Sequence, residues 1–333
     1  HWPSQLLAVH GYNLEVLKRV YGLWRIRTQL RKRFLQERPD VFIGVDAPDF
    51  NFGLEKNLRQ QGIRTVHFVC PSIWAWRAHR VHTIRRSADH VLCLFPFEPA
   101  LLEQHGIAAT YVGHPLANVF PMEPDKKAAR QQLQLQLPQD VAVLAVLPGS
   151  RSSEVQYIAA PFFQAAALAL KACPALKLIV PAVPAQRQRI EQVIQASGLN
   201  GAVQVVDGQS HAVLAACDVT LIASGTATLE AALLKRPMVI SYAVHPLSAR
   251  IMRSKQLQPW VGLPNILCRE FVVPELLQEA ATPTALANAV SAWLDDPERT
   301  AALQQRFAEL HTLLHRDTAT LSANAISQVI ASR

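Results

Sequence analysis

Apolar residues along this chain alternate between two rhythms. Short, nearly unbroken apolar runs at Val41–Asp46, Ile63–Val69, His90–Phe95 and Thr110–Val112 read as buried strands, as do 142–147, 176–180, 203–206, 218–222 and 237–241. Between them lie stretches with helical period: Leu14–Leu35, Phe52–Gln61 and Glu98–His105 in the first half, and segments near 153–172, 184–196, 210–216, 226–234 and 245–256 in the second. Three or four helices close the chain from Pro274 to Ser332. Strand following helix following strand predicts an α/β fold with doubly wound parallel sheets. A Pro- and charge-rich stretch, Phe120–Lys127, divides the pattern into an N-terminal domain over 1–119 and a C-terminal one over 120–333. Two such domains facing each other enclose a cleft, a common seat for ligands.

The strand counts differ between the halves. The second shows at least five and the first only four, with no Gly-rich βα turn ahead of Val41. A doubly wound half usually begins with its central strand. The expectation is that one or two βα units, roughly 30 residues or more, precede His1, leaving the N-terminal domain incomplete with open sheet edges.

Composition narrows the class. The 333 residues are 50% hydrophobic and 17% charged, which suits a folded chain and excludes a disordered one. Cysteines at 70, 93, 173, 217 and 268 form no CxxC pair and mostly sit in apolar segments, as reduced core thiols of a cytoplasmic protein do. No apolar run reaches membrane-span length, and no signal peptide is visible.

The formal charge of +8 is concentrated. Residues 10–38 carry Lys18, Arg19, Arg25, Arg27, Arg31, Lys32, Arg33 and Arg38 against Glu15 and Glu37. In the helix at 14–35, Leu17, Tyr21 and Trp24 share one face, while Leu23, Ile26, Leu30 and Phe34 form a neighbouring stripe. A basic amphipathic helix carrying Trp and Leu suits an anionic membrane surface. On that reading Leu17, Val20, Leu23 and Trp24 insert, steered by Lys18, Arg19 and Arg25. The competing reading is a core helix with a solvated basic flank. Nucleic acid is not expected, because no binding motif accompanies the patch.

The stretch Ala142–Val155, AVLAVLPGSRSSEV, reads as strand, Pro-Gly turn and helix start. Free N–H groups and the dipole at such a helix opening favour anions, and Arg151 adds a planar cationic fork. Ser150, Arg151 and Glu154 are therefore candidate contacts to a diphosphate; the plainer alternative is a βα turn with a solvated Arg. Ala223–Glu230, ASGTATLE, repeats the arrangement. Ser224 and Gly225 let a ligand approach the backbone, Thr226 is placed to cap the helix, and Glu230 is placed to accept from ribose hydroxyls. Two helix openings and a carboxylate at one sheet edge suit a nucleoside diphosphate.

Asp46 stands at the carboxyl end of a strand, the ligand edge of an open α/β sheet. His114, between Gly113 and Pro115, is a second candidate base, although a His after a strand is more often a structural hydrogen-bonder. Neither GxxxxGK[ST] nor GxGxxG occurs, which argues against P-loop and dinucleotide enzymes. A DxD pair for a bridging metal is also missing, so no metal and no cofactor are expected.

The segments GVDAPDFN (44–51), PSIWAWR (71–77), LCLFPFE (92–98), YVGHPLA (111–117), LPGSR with EV (147–155), ASGTATLE (223–230), LPN (263–265) and VPELLQ (273–278) together resemble the lipid-A-disaccharide synthases, from about Leu7 to the end of the chain. The resemblance implies two Rossmann-like domains in the GT-B arrangement and a metal-independent, inverting transfer. UDP-2,3-diacylglucosamine would be joined to 2,3-diacylglucosamine 1-phosphate, releasing UDP, on the cytoplasmic side of the inner membrane as a peripheral protein. It puts Asp46 in the place of the general base, and Arg151, Glu230 and Asn265 in donor-binding places. The family's N-terminal Gly-Glu-Ala-Ser-Gly-Asp loop has no counterpart here. A homodimer is compatible with this reading. The rival readings are a UDP-N-acetylglucosamine 2-epimerase or another GT-B enzyme, and a non-catalytic nucleotide-sugar-binding fragment.

Overall fold

A computed structural model describes residues 14–135, 137, 141–245, 249–250 and 256–332, with the backbone alone for 14–20. The chain forms two compact units: the chain up to Pro115 joined by the chain from Arg316, and Leu116–His315. The last helix, Thr318–Ala331, therefore belongs with the first unit and not with the second, as the division at residue 120 had it. Its periodicity shows an apolar face without showing which sheet takes that face. Ala325 and Val329, with Leu321 and Ile326, pack on Val66, Leu92, Leu94 and Val112 of the first sheet.

In the first unit α1 (Leu14–Glu37), β1 (Val41–Val45), α2 (Pro48–Gln60), β2 (Arg64–Phe68), α3 (Val81–Ser87), β3 (His90–Cys93), α4 (Glu98–Glu103) and β4 (Ala109–Tyr111) alternate. The four strands are parallel in the order β1-β2-β3-β4. Pro48 opens α2, since the first helical position needs no N–H donor. Leu30, Phe34 and Leu35 of α1 pack with Leu54, Leu58 and Ile63, and Ile26 is buried too. The second apolar stripe of α1 is thus core. Of the first, Tyr21 is 64% and Trp24 54% exposed, their rings stacked 6.0 Å apart.

In the second unit α5 (Pro115–Val119, begun one residue before the boundary) and α6 (Lys126–Gln132) flank the expected linker, and 120–125 carry no helix or strand. A six-stranded parallel sheet follows, β10-β9-β8-β5-β6-β7. It contains β5 (Val143–Leu147), β6 (Lys177–Ala182), β7 (Val203–Asp207), β8 (Val219–Ala223), β9 (Met238–Tyr242) and β10 (Glu275–Leu277). Helices α7 (Ser152–Ala172), α8 (Pro184–Ala196), α9 (Ser210–Ala216), α10 (Thr226–Leu233), α11 (Leu263–Cys268), α12 (Pro283–Leu294) and α13 (Pro297–Leu314) complete it. Every residue of β5 and β8 is buried, as continuous apolar strands between two helical layers should be. The Asp218 carboxylate fastens their starts, accepting from Val143 N at 2.7 Å and pairing with Lys126 and Arg130 at 2.8 Å each. From β5 the chain winds outward through β6 and β7, then crosses back to lay β8 on the other side of β5. That reversal is a topological switch point, where the two strand ends part and leave a crevice.

Candidate functional site

A cavity of about 290 Å³ opens at this switch point, lined by Leu147, Pro181, Ile222 and Ala223 from strand ends and by Gly149, Ser150, Arg151, Glu154, Ser210, Ser224–Ala227 and Glu230 from the turns and helix starts. Seven sequence candidates, Ser150, Arg151, Glu154, Ser224, Gly225, Thr226 and Glu230, meet there. All belong to the second unit.

At the start of α7 the arrangement differs from a vacant anion seat. Glu154 turns back so that its Oε2 accepts from Ser150 N at 3.1 Å and Arg151 N at 3.2 Å. Its Oε1 accepts from Arg151 Nη1 at 2.7 Å. Gly149 makes this possible: its φ is +104°, and a Cβ there would lie 2.6 Å from Glu154 Oε2. Two amides just ahead of the helix, those of Ser150 and Arg151, are therefore held by the protein's own carboxylate. What faces the cavity is the Arg151 side chain, 62% exposed.

The start of α10 is different. Gly225 is its N-cap and has no side-chain oxygen to offer, while Thr226, expected as the cap, is the first helical residue. First-turn amides of such a helix retain donor capacity. Ser224 is held by Ser241 O, which accepts from its amide at 2.9 Å, and by Val261 O, which accepts from its hydroxyl at 3.2 Å. Glu230, one turn in, has His211 Nε2 at 3.5 Å from its Oε2, and the imidazole meets the edge of Phe120 with centroids 4.7 Å apart.

Asn265 corrects the sequence reading. It is fully buried, and its amide is spent on Val273 O, Glu275 Oε1 and Val273 N at 2.8–3.0 Å, so it is no ligand contact in this structure. It secures Glu275, whose carboxylate accepts from Val261 N and Gly262 N at 2.9 Å each, and Val261 in turn receives Ser224. Asn265 thus supports the cavity from two residues behind it. Burial raises the Glu275 carboxyl above its usual range, and these donors partly offset the rise.

Sequence reasoning passed over His211, Ser210 and Tyr242. Burial raises the Tyr242 phenol, with Glu154 adding to the rise and Arg151 opposing it, which brings Tyr242 into this charge cluster. Its position as the last residue of β9, at the same edge of the sheet, was the available signal.

Asp46 and His114 belong to the first unit. Asp46 is exposed just past β1, and it and Ala47 adopt left-handed φ of 48° and 42°. Its amide donates to Phe68 O at 2.8 Å, and Asn51 Nδ2 donates to the Val45 and Asp46 carbonyls at 3.1 and 2.8 Å. These bonds maintain an uncommon conformation that presents the carboxylate to solvent. His114 is buried against Phe95, 5.7 Å between rings, and burial lowers its pKa to about 4, leaving a neutral imidazole near pH 7. It is a poor base and, being covered, a poor ligand contact.

The motifs at 71–77 and 92–98 join around Glu98, which accepts from Trp74 Nε1 and Phe95 N at 3.0 Å each; burial raises its pKa to about 7. With Cys70 and Cys93 it is a group whose ligand atoms lie within 4.8 Å of one another. Both Glu98 oxygens are already engaged, and burial and the hydrogen bond to Cys70 keep the Cys93 thiol protonated, so the group reads as core hydrogen bonding. On α1, Trp24 and Arg25 are exposed and Leu23 is half-buried; the side chains of Leu17, Lys18, Arg19 and Val20 lie outside the described residues. Arg27 lies against Gly53 and Arg31 reaches Asn57 at 3.5 Å, so part of the basic patch is packed on α2.

The lipid-A-disaccharide synthetase family model matches residues 5–330. The chain belongs to this family. It is 64% identical over 334 residues to the lipid-A-disaccharide synthase of Verminephrobacter eiseniae, covering 99% of this chain and 85% of that protein. With the Burkholderia thailandensis enzyme of the same name the identity is 52%, over 100% of this chain and 85% of the relative. Among solved structures, the UDP-GlcNAc 2-epimerase of Neisseria meningitidis bound to UDP-GlcNAc superposes with a TM-score of 0.64 at 11% identity, over 98% of this chain and 87% of that one. An Anabaena protein in complex with UDP and glucose gives 0.57 at 15% identity, over 92% and 82%. At such identities the likeness speaks for the fold alone, and it is the GT-B fold that the family resemblance implied.

Proposed function

We propose that this chain is a glycosyltransferase of lipid A biosynthesis, joining UDP-2,3-diacylglucosamine to 2,3-diacylglucosamine 1-phosphate. Family membership supports the reaction class. The observation that carries the site assignment is the cavity at the switch point, where an exposed arginine, an uncapped helix start and a half-buried carboxylate converge. Arg151 and the first amides of α10 would meet the diphosphate, and Glu230 the ribose hydroxyls. Asp46 would take the proton of the acceptor 6-hydroxyl as that oxygen bonds to the donor's anomeric carbon. The bond from that carbon to the diphosphate oxygen breaks, UDP departs with the electron pair, and the configuration inverts. A positioned base is worth about 10²–10⁴ in rate, and a donor aimed at the developing charge a few kcal/mol.

No helix among the described residues is long and apolar enough to cross a membrane. Exposed Trp24 and Tyr21 beside exposed basic residues of α1 support a peripheral seat on the anionic inner leaflet. Incubation with both acylated substrates should give the disaccharide and UDP in equal amounts. Conversion of UDP-N-acetylglucosamine without an acyl acceptor, or UDP binding with no transfer at all, would replace this reading by the epimerase or the binding fragment.

A further inference from the structure

We propose that Glu154 is the positioning residue of the nucleotide site: it is tied to the turn ahead of α7 and holds the Arg151 guanidinium in place over the phosphates. The inference rests on the nucleotide reading of the cavity and goes beyond it by assigning a role to a carboxylate in an anion site. A carboxylate beside a diphosphate is unfavourable unless its charge is compensated locally. Here three donors compensate it: the Ser150 and Arg151 amides and one guanidinium N–H. The side chain is only 9% exposed, and Gly149 leaves the volume it occupies open, so its place is built into the turn. One end of the carboxylate is tied to the backbone and the other fixes Arg151, which lines the cavity and is 62% exposed. An arginine on a flexible stem loses less conformational freedom on binding when it is restrained beforehand.

Glu154→Gln tests this with little disturbance to the turn. Its amide oxygen still accepts from the two backbone donors, while its NH₂ group faces Arg151 and releases it. Calorimetric titration with UDP should show affinity weakened about five- to tenfold, and uridine, which has no phosphate, should bind to both proteins alike. On an Arg151→Ala background the same substitution should change UDP affinity less than twofold, because Glu154 acts through Arg151. Loss of a helix cap alone would persist on that background and would reduce uridine binding as well. Tighter UDP binding by Glu154→Gln would mean that the carboxylate competes with the phosphates, and would overturn the proposal. An effect undiminished without Arg151 would overturn it too. Wild-type protein that does not bind UDP would instead defeat the nucleotide reading, and this proposal with it.

Discussion

Replacing Gly149 by alanine should separate two costs that usually arrive together. The first is conformational: at φ +104° an L side chain is strained, by about 1–2 kcal/mol. The second is steric, since the new Cβ would lie 2.6 Å from Glu154 Oε2 and 2.7 Å from Glu154 Cβ. Glu154 must then leave, forfeiting two amide hydrogen bonds and its link to Arg151, a loss of about 1–2 kcal/mol by analogy with a removed helix cap. The total is about 2–4 kcal/mol, or a fall in Tm of roughly 5–15 °C for a unit of this size. Gly198 supplies the control. Its φ is +71° in the same unit, and a Cβ there would meet nothing within 4 Å, so Gly198→Ala carries the conformational cost alone. Thermal unfolding of the two variants compares them directly. Combining Gly149→Ala with Glu154→Gly, which removes the Cβ at 2.7 Å as well as the carboxylate, should bring the added cost of the glycine change down to that of Gly198→Ala. If Gly149→Ala proves no more damaging than Gly198→Ala, the tight seating of Glu154 is wrong.

Asn265→Ala should destabilise the second unit by about 2–4 kcal/mol through buried groups left unpaired, visible as a lowered Tm before any ligand is added; unchanged stability with weakened donor binding would restore it as a ligand contact. Glu98, raised from 4.5 to about 7, retains its proton in the fold at pH values where the unfolded chain loses it. Its contribution to stability is full below about 4.5 and declines as pH rises to about 7, by roughly 3 kcal/mol at most. Glu98→Gln should flatten that part of a stability-against-pH curve, and an unaltered slope would refute the assignment. Trp24→Ser should reduce co-sedimentation with anionic vesicles several-fold, and unchanged binding would detach α1 from the membrane reading.

The α/β alternation was legible because strands buried on both sides leave continuous apolar runs, and most second-unit strands begin and end within a residue or two of the expected positions. β10 was missed: three residues are too few to carry a period. The cavity itself was readable, since Gly149, Arg151 and Gly225 all follow strands and open helices. What filled it was not. A Glu three residues after an N-cap looks the same in sequence whether it contacts a ligand or folds back on its own amides. Asn265 failed for a related reason, because a short polar motif does not show whether its side chain faces a ligand or a buried strand. His211 and Tyr242 carry no motif, and only the sheet order brings them beside Glu230 and Arg151.

The helix Thr318–Ala331 covers Val66, Leu92 and Val112, residues translated some two hundred positions earlier. During synthesis that face has no cover until Thr318–Ala331 has been made, whereas Leu116–His315 is contiguous and complete by then. A nonsense codon shortly after His315 would therefore injure a sheet encoded about two hundred codons before it. Proteolysis or aggregation of such a product should begin around β2 and β3.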